Sequence, residues 1–178
     1  MGTVKTDSIN TTYTYEAYDL GTEYIQPATD VRSGESGVDS SVTFDLLQGD
    51  RTCVFVYAIE AITAGQLCEW DFTEYTTDKC KAYYVEPCDA DAVTPYLLAG
   101  VADQAIAAGS YGWIIKKGVV VVKAEGAVTV PNALDSDGAT GGEGCVMNTA
   151  GVDGNIGYTL EDLDETKTGF IQAYINIP

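Results

Sequence analysis

The chain has 178 residues, of which 46% are apolar, a composition that predicts one folded domain and excludes an intrinsically disordered protein. Its 27 acidic and 9 basic residues give a net charge of −18, which excludes nucleic acid and anionic membranes as expected partners, because both bind basic surfaces. Histidine is absent, so the most common general base and metal ligand is missing. We therefore expect no enzymatic activity and no cofactor.

The N-terminal quarter differs in composition from the rest of the chain. Residues 1–45 contain 13 Ser or Thr and only 7 Val, Ile or Leu, and tyrosines stand among these polar residues. In an extended segment, the alternation over 12–15 would place Tyr13 and Tyr15 on one face. We predict an extended N-terminal arm and edge segment over residues 1–45, followed by a β domain over residues 46–178.

Short strands with turn residues between them begin after position 50. The β-branched and aromatic stretch Cys53–Tyr57 predicts a buried strand, and the residues 63–66 predict a turn. Apolar and acidic residues alternate over Leu67–Phe72, which is typical of a strand with one solvated face. Lys81–Val85 predicts a further strand that ends near Pro87.

The region 111–130 is the clearest β-sheet sequence. Four consecutive valines, Val119–Val122, disfavour a helix because β-branched side chains lose rotamer freedom there. Turns at Lys117-Gly118 and Glu125-Gly126 would divide the region into a three-strand meander. A final apolar strand, Gly169–Pro178, should be paired.

Helix signals are confined to the alanine-rich window Leu97–Ala108. Gly100 interrupts this window and its apolar residues do not keep a helical period, so it allows at most one helical turn. The 19 glycines fit many tight turns. These patterns predict an all-β fold, a small barrel or sandwich.

The cysteines show neither a zinc-binding spacing nor a disulfide framework. We expect them mainly to be small core residues: Cys53, Cys68, Cys80, Cys88 and Cys145. A Cys80–Cys88 bridge across a hairpin stays open, although a reducing compartment disfavours it. The first residues lack the apolar core of a signal peptide, and the longest strongly apolar run is far below the roughly 20 residues that span a bilayer. We expect a soluble protein made in a cytoplasm.

From about Leu20 to the C terminus, short motifs follow one another: Leu20-Gly21-Thr22, Ala61–Leu67, Leu98–Ala102, Ala105–Trp113, Gly118–Val121, an acid- and glycine-rich loop near 135–144, and a terminal apolar strand ending in Pro178. In order and spacing, this succession resembles the head decoration (capsid cement) proteins of tailed bacteriophages, of the marine-phage type. Residues 23–50 depart from the resemblance, because they are longer and more polar than it leads us to expect.

The resemblance implies a small β-barrel or β-tulip-like fold and a structural role in the virion, on the outer surface of the capsid. It implies binding to the major capsid protein, and homotrimers at or near three-fold axes. Synthesis would take place in the host cytoplasm. Many copies on one shell stabilise its assembled state by mass action, even when each binds with modest affinity.

Four tyrosines of the arm are our capsid-contact candidates: Tyr13, Tyr15, Tyr18 and Tyr24. An extended segment can add a strand to an exposed sheet edge, and aromatic side chains are common anchors of interfaces. The alternative is that these rings cover the barrel of the protein itself. The negative charge favours solubility, or adaptation to salty surroundings where exposed charges are screened.

Two further constellations remain. The carboxylates of Asp135, Asp137 and Glu143 are weak calcium candidates, with a solvated turn as the alternative. Trp70 and Trp113 could stack on a sugar, which keeps a carbohydrate-binding or host-attachment module as the alternative function, although core packing is the more usual role of tryptophan in a strand.

Overall fold

The computed structural model describes residues 9, 11–27, 49–71, 75–76, 79–80, 82–88, 98–125, 130, 133–134, 145–146, 157–160 and 169–177. Every regular element in these residues is a β-strand, which confirms the all-β prediction. The strands in chain order are β1 (Glu23–Gln26), β2 (Arg51–Ala58), β3 (Leu67–Trp70), β4 (Tyr75–Thr76), β5 (Lys79–Cys80), β6 (Tyr84–Pro87), β7 (Leu98–Ala102), β8 (Ser110–Glu125), β9 (Ala133–Leu134), β10 (Cys145–Val146), β11 (Gly157–Thr159) and β12 (Gly169–Asn176). Across the same residues, no helix is long and apolar enough to cross a membrane.

Five strands close into a barrel-like ring. β2 pairs with β6, β6 with β3, β3 with β7, β7 with β8, and β8 again with β2. The β2–β6 pair is parallel and the other four pairs are antiparallel. Closure of this kind satisfies the backbone of each ring strand on both sides over the paired stretches. The ring agrees with the barrel predicted from the sequence.

β8 is one continuous strand of 16 residues, so the predicted three-strand meander is wrong. Its first half pairs with β2 and its second half pairs with β12. Gly118 does not form a turn; it lies within the strand with φ +115°, where a Cβ would come within about 3 Å of the carbonyl oxygen of Asp50 and the Cα of Arg51. The glycine therefore permits two backbones to approach closely, which sequence alone cannot distinguish from a turn.

The second half of β8 carries a smaller C-terminal sheet. β12 runs antiparallel to β8, β11 pairs with β12, and β9 pairs with β11. β10 lies parallel to the end of β8. The predicted terminal strand is thus formed and paired, because its register extends from Gly169↔Ala124 to Asn176↔Lys117.

The interior of the ring is a cluster of small and β-branched side chains from all five ring strands. Successive residues of a strand point to opposite faces, so alternate positions of β2 fill this interior. The whole cluster consists of Val54, Val56, Ala58, Cys68, Val85, Ala99, Ala102 and Ile114, joined by Ile62 and Ile106 from the connecting loops. The outer face carries a second cluster, which includes Cys53, Phe55, Trp113 and Ile115.

The helix window of the sequence contains β7 instead. All five residues of Leu98–Ala102 are buried, and the strand pairs with both β3 and β8. Gly100 is needed in this position because a Cβ would meet the carbonyl oxygen of Ile115 at 2.7 Å. Tertiary pairing therefore overrides the helix propensity of alanine.

Three of the cysteines are buried and not disulfide-bonded, as expected for small core residues: Cys53, Cys68 and Cys88. Because Cys88 is in its thiol form, the Cys80–Cys88 bridge is not formed. Burial raises the pKa of the Cys68 thiol far above its usual value, and the neighbouring Cys88 adds to the effect.

Candidate functional site

Residues 11–27, which we call the N-terminal segment, lie against the outer face of the ring. The amide of Tyr13 donates to the carbonyl of Tyr111 at 2.9 Å, and the amide of Tyr111 donates to the carbonyl of Tyr13 at 2.8 Å. The amide of Gly21 donates to the carbonyl of Phe55 at 2.9 Å, and β1 then pairs with β2. The division predicted at residue 45 stays a prediction, because residues 28–48 lie outside the described part of the chain.

Three of the four capsid-contact candidates pack on the ring. The ring of Tyr13 lies 5.9 Å from that of Phe55, and Tyr18 lies 5.3 Å from both Phe55 and Trp113. Tyr24 contacts Trp113 at a centroid distance of 6.2 Å. These contacts are those of the alternative in which tyrosines cover the barrel of the protein itself, and capsid contact by these residues stays a prediction.

Tyr15 is the exception among the four. Its side chain is 66% exposed, whereas that of Tyr13 is 8% exposed, although the two rings touch edge to face at 6.0 Å. The chain bends after Tyr13, so the strand-like alternation expected over 12–15 is not formed. Tyr15 is therefore the candidate with the largest surface available to a partner.

The N-terminal segment packs closely against Tyr83, the residue that directly precedes β6. Gly21 has φ +79°, and a Cβ there would overlap the ring of Tyr83. Tyr83 itself has φ 65°, a conformation that is costly for a residue with a side chain, and its ring meets Trp70 edge to face at 5.8 Å. The glycine makes room for the tyrosine ring, so the segment is held at a defined place on the barrel.

Three further tyrosines stand side by side on the outer face of the ring, and we call Tyr57, Tyr84 and Tyr111 the tyrosine row. Tyr57 is opposite Tyr84 in one strand pair and opposite Tyr111 in the other. Its ring centroid lies 4.6 Å from that of Tyr84 and 4.9 Å from that of Tyr111. All three side chains are half-buried, so each presents part of its ring to solvent.

Carboxylates lie at both ends of the tyrosine row. At the β8 end, partial burial and the nearby carboxylate of Glu16 raise the pKa of Tyr111. At the β6 end, Glu86 follows Tyr84 by two residues and thus shares its face, and Glu86 is directly opposite Glu69 of β3. Like charges in directly opposed positions concentrate negative potential at that point of the sheet.

A buried ion pair lies at the start of β2. Arg51 and Asp103 are both 3% exposed, and the guanidinium Nη1 is 3.5 Å from Oδ1 of the carboxylate. Burial lowers the pKa of Arg51, an effect that the charge of Asp103 partly offsets. We assign this pair a structural role, since it fixes β2 against the end of β7 and is closed to solvent.

The remaining site hypotheses have different outcomes. Trp113 is 1% exposed in the core, so it is not available as a sugar-stacking platform, and Trp70 is half-buried against Tyr83. Asp135, Asp137 and Glu143 lie outside the described residues, so the calcium site stays a prediction. Within the described ranges, no group of three or more metal-ligating side chains comes together.

Sequence reasoning missed the tyrosine row. Its members come from positions 57, 84 and 111, and only the register of the closed ring makes them neighbours. The local signal was present in β2, where Phe55 and Tyr57 alternate with the smaller residues Val56 and Ala58.

The sequence matches no protein-family model and no curated protein. Among solved structures, the chain is similar to the N base of the head fiber protein gp8.5 of bacteriophage phi29. The TM-score is 0.46 and the sequence identity 15%, over 71% of this chain and 94% of that chain. These values do not establish a shared function.

Proposed function

We propose that this chain is a bacteriophage head decoration protein, which binds the outer surface of the assembled capsid and stabilises contacts between major capsid proteins. The head fiber base named above is too dissimilar to transfer its role. The proposal is supported by the succession of motifs between Leu20 and the C terminus, and by how those motifs meet in the fold.

The observation that carries the proposal is that motifs far apart in sequence contact one another. Ile62 and Ile106 exchange backbone hydrogen bonds of 2.9 Å in both directions, which joins the motif at 61–67 to the motif at 105–113. The amide of Gly65 donates to the carbonyl of Ala102 at 2.7 Å, which adds the motif at 98–102. The motifs that carry the resemblance therefore pack together in one folded unit, as a shared fold would require.

The role we propose requires a rigid body with an accessible contact surface. The ring supplies the rigid body, because its strands pair with a neighbour on each side and contribute to two buried clusters. For the contact we propose the face around Tyr15, with Tyr13, Tyr18 and Tyr24 holding the N-terminal segment in place. Homotrimers near three-fold axes are part of the proposal, and light scattering of the purified chain together with imaging of decorated heads tests them.

Binding to purified heads of the source phage that lack this chain tests the proposal. We expect saturable binding in copy numbers set by the capsid lattice, and a higher temperature of head disruption when the chain is bound. Tyr15→Ala should weaken binding about tenfold or more, as truncation of an exposed aromatic anchor does. Tyr158→Ala is the matched control, since Tyr158 is 46% exposed on the C-terminal sheet. No binding by the folded wild-type chain would refute the function.

A further inference from the structure

The outer face of the ring combines aromatic and acidic side chains in one continuous strip. It crosses four neighbouring strands: Tyr111 of β8, Tyr57 of β2, Tyr84 and Glu86 of β6, and Glu69 of β3. We call these five residues the outer strip. All five are half-buried, so the strip is part of the surface while its side chains are held by their neighbours.

We propose that the outer strip is a docking site for a basic protein segment, in which arginine side chains lie over the tyrosine rings and pair with Glu69 and Glu86. This inference rests on the proposed function in one respect, because the partner would then be a basic segment of the coat protein. The binding chemistry itself can be tested without a phage head.

Charge decides the nature of the occupant. Two carboxylates are directly opposite each other at one end of the strip. At the other end, the negative charge of Glu16 acts on Tyr111. The whole chain carries −18, so an acidic partner would be repelled and a basic one attracted.

The tyrosines favour arginine over lysine. A guanidinium is planar and stacks on aromatic faces, whereas an ammonium is a strongly hydrated point charge. Tyr57 is in ring contact with both Tyr84 and Tyr111, which limits the rotamer freedom that these side chains would lose on binding. The strip is therefore preorganised for a planar cation.

Calorimetric titration of the full chain with a hexa-arginine peptide, at about 0.15 M salt, tests the proposal. We expect Glu69→Gln/Glu86→Gln to weaken binding about tenfold. The control Asp19→Asn/Glu23→Gln removes the same charge from two exposed positions outside the strip and should change affinity less than about twofold. Equal losses in both double variants would show only general attraction to an acidic surface, and would overturn the proposal.

The aromatic part has its own test. Tyr84→Leu keeps apolar volume but removes the ring, and we expect a threefold to tenfold loss for hexa-arginine with a smaller loss for hexa-lysine. Tyr158→Leu, on the C-terminal sheet, is the matched control and should have no effect. Amide chemical shifts on addition of peptide should change along the strip; changes confined to other surfaces would contradict the assignment, even if a variant proved unstable.

Two outcomes separate this inference from the proposed function. If hexa-arginine binds at the strip and heads are not bound, the coat protein is not the partner and the strip serves another basic segment. If heads are bound with equal affinity by wild type and by Glu69→Gln/Glu86→Gln, the strip is not the docking site, while the proposed function stands. If the wild-type chain self-associates and Glu69→Gln/Glu86→Gln does not, the occupant is a second copy of this chain. That result would overturn the proposal of a basic segment from another protein.

Discussion

The ring and the C-terminal sheet share the strand β8, yet they bury it differently. In the ring half, Trp113, Ile114 and Ile115 are at most 1% exposed, because alternate residues enter the interior cluster and the outer cluster. In the other half, Val120 and Val122 enter the outer cluster, but the opposite face is covered by half-exposed side chains such as Phe170 and Tyr174. The valines of this second half are nevertheless at most 6% exposed, so ring closure determines which side chains cover the strand and not how completely it is buried.

This contrast predicts that the ring is the more stable region. The largest effect is expected for Ile114→Ala, which removes a fully buried side chain from the ring interior. Deletion of such a side chain leaves a cavity between strands that are held on both sides, and should cost about 2–5 kcal/mol of the free energy of unfolding. Urea denaturation followed by tryptophan fluorescence measures this loss of stability, since Trp113 directly precedes Ile114 in the same strand.

The control for this prediction lies on the exposed face of the C-terminal sheet. Tyr158→Ala removes a larger side chain, but one that is 46% exposed and stacked only on Tyr174 among the ring contacts described. We expect a loss below about 1 kcal/mol. If the two substitutions destabilise equally, closure of the ring does not distinguish the two regions.

Gly157→Ala should break the C-terminal sheet without opening the ring. A Cβ at this position would overlap the backbone carbonyl of Tyr174, and backbone cannot move aside as a flexible side chain can. We expect a cost of about 1–3 kcal/mol and faster amide exchange in β11 and the facing part of β12. Exchange at Phe55 of β2 should be unchanged.

Asn176→Ala, an exposed change at the end of β12, is the matched control for Gly157→Ala and should leave both regions as they are. Faster exchange across β2 as well as β11 in Gly157→Ala would mean that the ring and the C-terminal sheet unfold as one unit.

The strands of the ring and a barrel or sandwich could be predicted, but not which strands pair to close the ring. The β-branched and aromatic composition of Cys53–Tyr57 and the terminal apolar run identified β2 and β12, because both signals are local. The turn predicted at Gly118 failed because this glycine accommodates Arg51, a residue distant in sequence. The same limit applies to the candidate sites: Tyr15 was selected as a candidate from its local context, whereas the outer strip depends on pairing across four strands.

The interior of the ring should also be closed to thiol chemistry and to ionisation. Burial keeps Cys68 neutral in the folded chain, since its pKa is raised, whereas in the unfolded chain it ionises near pH 8.5. The unfolded state therefore loses a proton that the folded state keeps, so stability falls as pH rises above about 8.5. Ionisation of Cys68 in the unfolded chain should lower the free energy of unfolding by about 2 kcal/mol at pH 10.

Cys68→Ala provides the comparison for this pH dependence. Its free energy of unfolding should fall less steeply than that of the wild type between about pH 8 and 10. Parallel curves for the two proteins, or rapid reaction of Cys68 with a thiol reagent in the native state, would show that water reaches the interior of the ring.

The smallest effect is expected at the outer face, where Tyr111 is only half-buried. Partial burial and Glu16 raise its pKa, so the difference in ultraviolet absorbance between wild type and Tyr111→Phe should titrate above the usual value of about 10. Because the folded state holds this proton more tightly, the associated stability is complete below that pH and declines as pH rises through the raised pKa. Glu16→Gln should move the midpoint of the absorbance difference downward. If the midpoint does not change in Glu16→Gln, the charge of Glu16 does not act on the tyrosine row. The outer strip would then have carboxylates at one end only, which weakens the argument for a basic occupant.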